Sequence, residues 1–146
     1  MIQIVEISSN AGVVLEPAWL ARAEAVHRQL RPQLDGDYPA QMQRVFAAGT
    51  QMAVAADGER VLGVTLWRTL LNTASGQVLY VDDLVTDADR RSGGVGRALL
   101  SWLEARARQL DCVALTLDSG TQRLRAHAFY FREGMHIASF HFSKRL

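Results

Sequence analysis

The chain has 146 residues, 49% of them hydrophobic and 21% charged, with 11 glycines. That length suits one compact domain, residues 1–146, with a core of its own. The formal net charge of +1 argues against a bulk electrostatic pull towards nucleic acid or a membrane surface, so neither is expected as a partner.

The N-terminal stretch MIQIVEISSN lacks a basic region followed by a long apolar run, which argues against a signal peptide. No apolar run reaches the ~18 residues of a membrane helix, so a cytoplasmic protein is expected. Met1 to Ser8 alternates as a first strand. Glu16 to Leu34 carries Trp19, Leu20, Ala23, Val26 and Leu30 at helical spacing. Pro17 suits a first helical turn, and Pro32 stops the helix near Leu30. Asp35-Gly36-Asp37 reads as a turn, and Pro39 to Ala48 as a short helix closed by Gly49. Gln51–Ala56, Val61–Leu71 and Gln77–Thr86 form three strands, with Asp57-Gly58 as a hairpin signal and Asn72–Gly76 as a second turn. That is an antiparallel meander.

Val95, Leu99, Trp102, Leu103 and Leu110 mark the next helix. Val113 to Leu117 reads as a strand buried on both faces, so a parallel β-α-β unit follows the meander. Cys112, the single cysteine, precedes it; the expectation is a buried structural thiol, with no disulfide and no cysteine-rich zinc site. A helix from about Gln122 to Arg132 ends at Gly134, and Ile137 to Phe142 is a last strand. The predicted fold is mixed α/β: one sheet of about six strands flanked by about four helices. The last strand is an apolar edge of the kind that can pair with a second copy, which would make a homodimer. His136 and His141 lie five apart on it, hence on opposite faces, and no metal site is expected.

The chemistry concentrates in residues 77–98, QVLYVDDLVTDADRRSGGVGRA. A strand runs through a short polar turn into Arg91-Ser92-Gly93-Gly94-Val95-Gly96-Arg97-Ala98, where a helix opens. The first N–H groups of a helix lack intrahelical partners and carry partial positive charge. Glycines let a bulky anion approach them, and Arg91 and Arg97 add charge-assisted donors, so the segment reads as a pyrophosphate cradle. It lacks the Gly-Lys-Ser/Thr ending of a nucleotide P-loop. A nicotinamide-dinucleotide fingerprint would need Gly or Ala where Leu99 stands, and it would open the domain rather than follow a meander.

Arg91-Ser-Gly-Gly94-Val-Gly96 resembles the Arg/Gln-x-x-Gly-x-Gly/Ala signature of the GNAT superfamily of N-acetyltransferases. Downstream, Ala126-His-Ala-Phe-Tyr130-Phe-Arg-Glu-Gly134-Met135 is similar to that family's Ala-x-x-x-Tyr-x-x-x-Gly-Phe segment, and the element order matches the family fold. The resemblance implies acetyl-CoA as the acyl donor and an amine, small-molecule or protein, as acceptor. It implies that Leu84, Val85 and Thr86 contact the acetyl group and pantetheine, and that the N–H near Val85 serves an oxyanion. It implies that Tyr130 faces the CoA sulfur as general acid. Neighbours on a strand face opposite sides, so only one of Asp82 and Asp83 would enter the cleft unless a bulge, which the family often has, disturbs the alternation.

An alkylamine with a pKa near ~10.4 is protonated at neutral pH and must lose a proton before it attacks. Asp82 and Asp83 are the base candidates. Alternatively, one carboxylate binds the substrate ammonium or a nearby arginine while water relays the proton. The family's asparagine, seven residues before the tyrosine, is Arg123 here, which could reach a CoA phosphate. Met135 replaces the family's phenylalanine. The acceptor is expected at the first two helices, their joining segment Arg31 to Gln41, and the strand ends around Asp118 and Ser119, with His127 a further candidate. Asp35 and Asp37 either join Asp82, Asp83 and Asp118 in an acidic mouth or are solvated turn residues. The competing readings are a catalytically silent acyl-CoA-binding module and, more remotely, a nicotinamide-dinucleotide enzyme.

Overall fold

The computed structural model describes residues 1–146. Its elements are β1 (Gln3–Glu6), α1 (Pro17–Leu30), α2 (Tyr38–Ala47), β2 (Gln51–Asp57), β3 (Arg60–Asn72), β4 (Gly76–Thr86), α3 (Val95–Gln109), β5 (Ala114–Leu117) and α4 (Leu124–Arg132). The chain divides into two compact units, Met1–Thr116 and Leu117–Leu146.

Local chemistry sets most boundaries. Pro17 stands in the first turn of α1, where its missing N–H leaves no bond unmade. The helix ends at Leu30, just short of Arg31-Pro32, as expected. Asp37 caps α2 by accepting the Ala40 N–H at 3.1 Å. Asp57 pairs with Arg60 across the two-residue loop Gly58-Glu59, and Gly58 supplies the positive φ of +57° that such a loop needs. Asn72 folds the next turn by accepting the N–H groups of Ala74 and Ser75.

In the first unit the sheet order is β1-β2-β3-β4-β5. The first four strands pair antiparallel. β5, reached through α3, completes the sheet as the parallel partner of β4. On one face Leu20, Ala23 and Val26 of α1, with Tyr38, Met42 and Phe46 of α2, pack onto Met52, Val54, Val64 and Leu66. On the other, Val95 and Leu99 of α3 pack onto Ala55, Leu62 and Leu84. Trp67 of β3 meets Trp102 of α3 edge to face at 5.1 Å. The start of α3 lies tight against Gly63, where an added β-carbon would fall 2.7 Å from Cγ1 of Val95 and 3.0 Å from Cδ1 of Leu99. The absent side chain lets the helix start approach the sheet.

Residues 137–142 depart from expectation. They form no ladder, and Ile137, Phe140 and Phe142 are exposed, so the sheet has five strands. A strand exists only with a partner to bond, which apolar alternation cannot supply by itself. The edge invoked for pairing with a second copy is therefore not a strand in this structure. β5 also differs from a strand buried on both faces: Ala114 and Thr116 are exposed, while Leu115 and Leu117 are half-buried. It ends the sheet order and alternates like a one-sided strand. Cys112 is half-buried rather than buried. In the second unit α4 holds no fully buried residue and gives way to Gly134 at φ +85°. No helix is long and apolar enough to cross a membrane.

Candidate active site

The pairing of β3 with β4 slips between Leu66 and Trp67. Leu66 faces Asp83 and Trp67 faces Val81, so Asp82 is one extra residue on β4. Neighbours on a regular strand point to opposite faces, and an extra residue cancels one alternation. Asp82 and Asp83 consequently line the same pocket. Its volume is about 200 Å³, and its wall includes His27, Arg31, Thr50, Leu66 and Arg68.

Neither carboxylate is free. Arg68 forks onto Asp82, Nε to Oδ2 at 3.0 Å and Nη2 to Oδ1 at 2.8 Å. Arg31 donates to Asp83 Oδ1 from Nε at 2.9 Å and from Nη2 at 2.5 Å, and its Nη2 also reaches the Asp82 carbonyl at 3.1 Å. His27 Nε2 donates to Asp83 Oδ2 at 2.7 Å, and His27 Nδ1 and the Tyr38 hydroxyl share a hydrogen bond of 2.8 Å. Asp83, His27 and Tyr38 are all buried. Burial pushes the Asp83 carboxyl up, but the hydrogen bonds from His27 and Arg31 outweigh it and hold the group below its ordinary value. Burial, reinforced by Glu24 and Asp83, drives the Tyr38 phenol well above its ordinary value, so it stays neutral. A carboxylate held ionised by three donors is a weak proton acceptor. No acidic mouth is assembled from the first unit's aspartates. Asp37 caps α2, Asp35 accepts from Gln41 Nε2 at 3.2 Å, and the pocket aspartates carry arginines.

Beyond the pocket β4 continues through Leu84, Val85 and Thr86. Leu84 packs towards α3 and Val85 towards α1, and Thr86 is half-buried. Asp87 then pins the exit. Its carboxylate accepts from Arg60 at 2.9 Å and from Gln29 Nε2 at 3.2 Å, and its N–H bonds the Leu62 carbonyl at 2.8 Å. Arg60 above all holds the Asp87 carboxyl below the ordinary range. Ser92 and Gly94 take positive φ of +68° and +81° to turn the chain back, and α3 opens at Val95. Arg91, Ser92, Gly93, Gly94 and Arg97 are exposed, Gly96 and Ala98 half-buried, and Val95 buried beneath them. A β-carbon on Gly94 would meet nothing within 4 Å, so the space over the helix start is open. Bare first-turn N–H groups beneath open space, with arginines alongside, suit a pyrophosphate.

In the second unit Tyr130 is half-buried on α4, edge to face with Phe129 at 5.5 Å. Burial raises its phenol above the ordinary value against the opposing charge of Arg123, which stands at the N-terminal cap of α4. His127 donates from Nε2 to the Gly120 carbonyl at 2.8 Å, bracing the turn before the helix. Asp118 is exposed and lies 3.6 Å from His141, and the Ser119 hydroxyl is buried without a partner.

Sequence reasoning placed the acceptor at the first two helices and the segment Arg31 to Gln41, but it singled out none of His27, Arg31, Tyr38, Thr50 and Arg68. One signal was present: His27 continues the stripe of Leu20 and Ala23 on the buried face of α1, a costly place for a polar ring without partners. No three His, Cys, Asp or Glu side chains gather as a metal site.

The acetyltransferase (GNAT) family model matches residues 19–135. The chain belongs to this family. An N-acetyltransferase of Bacillus subtilis strain 168, YhdJ, described as uncharacterized, is 41% identical over 70 residues, 47% of this GNAT chain and 49% of that protein. The aminoalkylphosphonate N-acetyltransferase of Salmonella typhimurium is 36% identical over 66 residues, 45% of this chain and 43% of that protein. The matches thus span about half the length of these curated relatives. Aminoglycoside N-acetyltransferase AAC(6')-Iy, solved in complex with CoA, shares the fold with a TM-score of 0.83 at 13% identity, covering 100% of this chain and 95% of that one.

Proposed function

We propose that this GNAT chain moves the acetyl group of acetyl-CoA to a primary amine by direct attack. One observation carries the reading. A single strand, β4, holds the bulged Asp82-Asp83 pair in a pocket and leads, within one short connection, to the open glycine start of α3. In this reading Arg91, Ser92, Gly93, Gly94, Val95, Gly96, Arg97 and Ala98 hold the pyrophosphate, and Leu84, Val85 and Thr86 border the pantetheine and acetyl group. Arg123 pairs with a CoA phosphate. Acetyl-CoA supplies an activated thioester. The N–H near Val85 stabilises the oxyanion, and Tyr130, kept neutral, protonates the departing thiolate. Asp82 and Asp83 order the pocket and the water that takes the amine proton. Asp118, Ser119 and His127 contact the acceptor.

Calorimetric titration with acetyl-CoA, beside a folded Gly94→Glu variant, tests the cradle. Binding that the variant abolishes supports it, and no binding by the unaltered chain refutes the transferase reading. A thiol assay for CoA release, run over an amine set that includes the aminoalkylphosphonates of the Salmonella relative's name, then tests turnover. Binding without release by any amine would favour a silent acyl-CoA-binding module.

A further inference from the structure

Arg31 and Arg68 line the same pocket as Asp82 and Asp83, so its guanidiniums and carboxylates balance in formal charge. The carboxylates are bonded within the chain and offer little unanswered negative charge to a cation. A guanidinium carries five N–H donors. The bonds of Arg31 and Arg68 to the aspartates come from Nε and Nη2, leaving Nη1 on each. Both side chains keep over a third of their surface exposed, at 40% and 38%. A second, independent feature points to a ligand. Thr50 lines the pocket, is 1% exposed, and its hydroxyl has no hydrogen-bond partner. A buried hydroxyl normally finds one. The remaining wall joins the apolar Leu34, Met42, Val45 and Leu66 to the polar His27 and Gln33. At about 200 Å³ the cavity is smaller than the ~300–1,000 Å³ that drug-sized ligands fill.

We propose that the pocket selects a small zwitterion: a short aliphatic primary amine whose other end carries an oxyanion, held by the free edges of Arg31 and Arg68 and by the Thr50 hydroxyl. Guanidiniums favour carboxylates and phosphonates through paired N–H bonds. A diamine would set a second positive charge against two arginines whose carboxylates are already engaged. An alkylamine with no oxyanion would leave Thr50 and both Nη1 groups without a ligand partner. The proposal rests on the transferase reading of the same site.

The test compares kcat/KM for propylamine, 1,4-diaminobutane, β-alanine and 2-aminoethylphosphonate with saturating acetyl-CoA. At least one anionic amine should exceed propylamine by about tenfold or more, the diamine should fall below propylamine, and the faster anionic amine names the oxyanion. In Arg68→Gln and Thr50→Val the ratio of kcat/KM for the oxyanion-bearing amine to that for propylamine should fall by about tenfold and several-fold respectively. A ratio measured within one variant is insensitive to how much of it is folded. Equal or faster turnover of propylamine or the diamine overturns the proposal and leaves the transferase reading standing. Binding of acetyl-CoA with no release by any of the four also overturns it, and absence of acetyl-CoA binding removes both.

Discussion

Replacing Gly63 by alanine tests whether the sheet seats the cradle. The new β-carbon would lie 2.7 Å from Cγ1 of Val95, 3.0 Å from Cδ1 of Leu99 and 3.0 Å from the Val85 carbonyl oxygen. Carbon atoms rest at ~3.5–4.0 Å, so the start of α3 must retreat by about 1 Å. Overpacking of this size costs about 1–3 kcal/mol, which for a chain of this length lowers Tm by about 3–10 °C. Val95 is the first residue of α3 and follows Gly94 directly, so the retreat also moves the N–H groups offered to the pyrophosphate. Misplacement by ~1 Å can cost up to ~100-fold, and we expect acetyl-CoA affinity about tenfold weaker. Thermal denaturation by circular dichroism and calorimetric titration read the two effects. Adding Val95→Ala removes the shortest of the three contacts, so the double variant should lose at least ~1 kcal/mol less than the two single losses combined. A Tm within about 1 °C of the parent and unchanged affinity would refute the close seating of α3 on Gly63.

Other outcomes follow from the same geometry. Gly94→Glu should abolish acetyl-CoA binding while losing about 1–3 kcal/mol to the positive φ, read by calorimetry and denaturant melts. Tyr130→Phe should lower kcat by ~100-fold or more and leave the KM for acetyl-CoA nearly unchanged, and an equal fall in binding would place the tyrosine in packing instead. His27→Phe deprives Tyr38 and Asp83 of one bond each and should destabilise the chain by about 2–4 kcal/mol in urea melts. Asp87, whose folded-state pKa is depressed, contributes stability above the unfolded value of ~3.9 and loses it as pH falls through the folded value. Tm measured from about pH 5 down to pH 2 should therefore fall less steeply in Asp87→Asn than in the parent, and parallel curves would refute the assignment.

Features that a few neighbouring residues decide were legible in the sequence. Pro32 marked the end of α1, Asp57-Gly58 marked the first hairpin, and the glycine run marked the opening of α3. The resemblance to the GNAT superfamily supplied the family, and it offered a bulge at Asp82 and Asp83 only as an alternative to regular alternation. The bonds that define the pocket were not legible, because they join His27 to Asp83 across 56 residues and Arg31 to Asp83 across 52. Nothing local says which carboxylate a buried histidine or a helix-end arginine will meet. The misread segment 137–142 has the same cause. Its apolar residues suit a strand, but a strand needs a second stretch of backbone, and that partner is not written in the segment itself.

The extra residue at Asp82 works as a change of phase. Before it, the even positions of β4, Tyr80 and Asp82, share the side of the sheet that carries α1; after it, the odd positions, Asp83 and Val85, do. Deleting either aspartate would restore regular pairing, leave the other opposite Leu66 on the pocket side, and keep every other side chain on its own face. Any β4 segment transplanted between relatives must therefore match parity as well as sequence. A graft of the wrong parity would pair correctly up to the bulge and then present its remaining residues to the opposite layer.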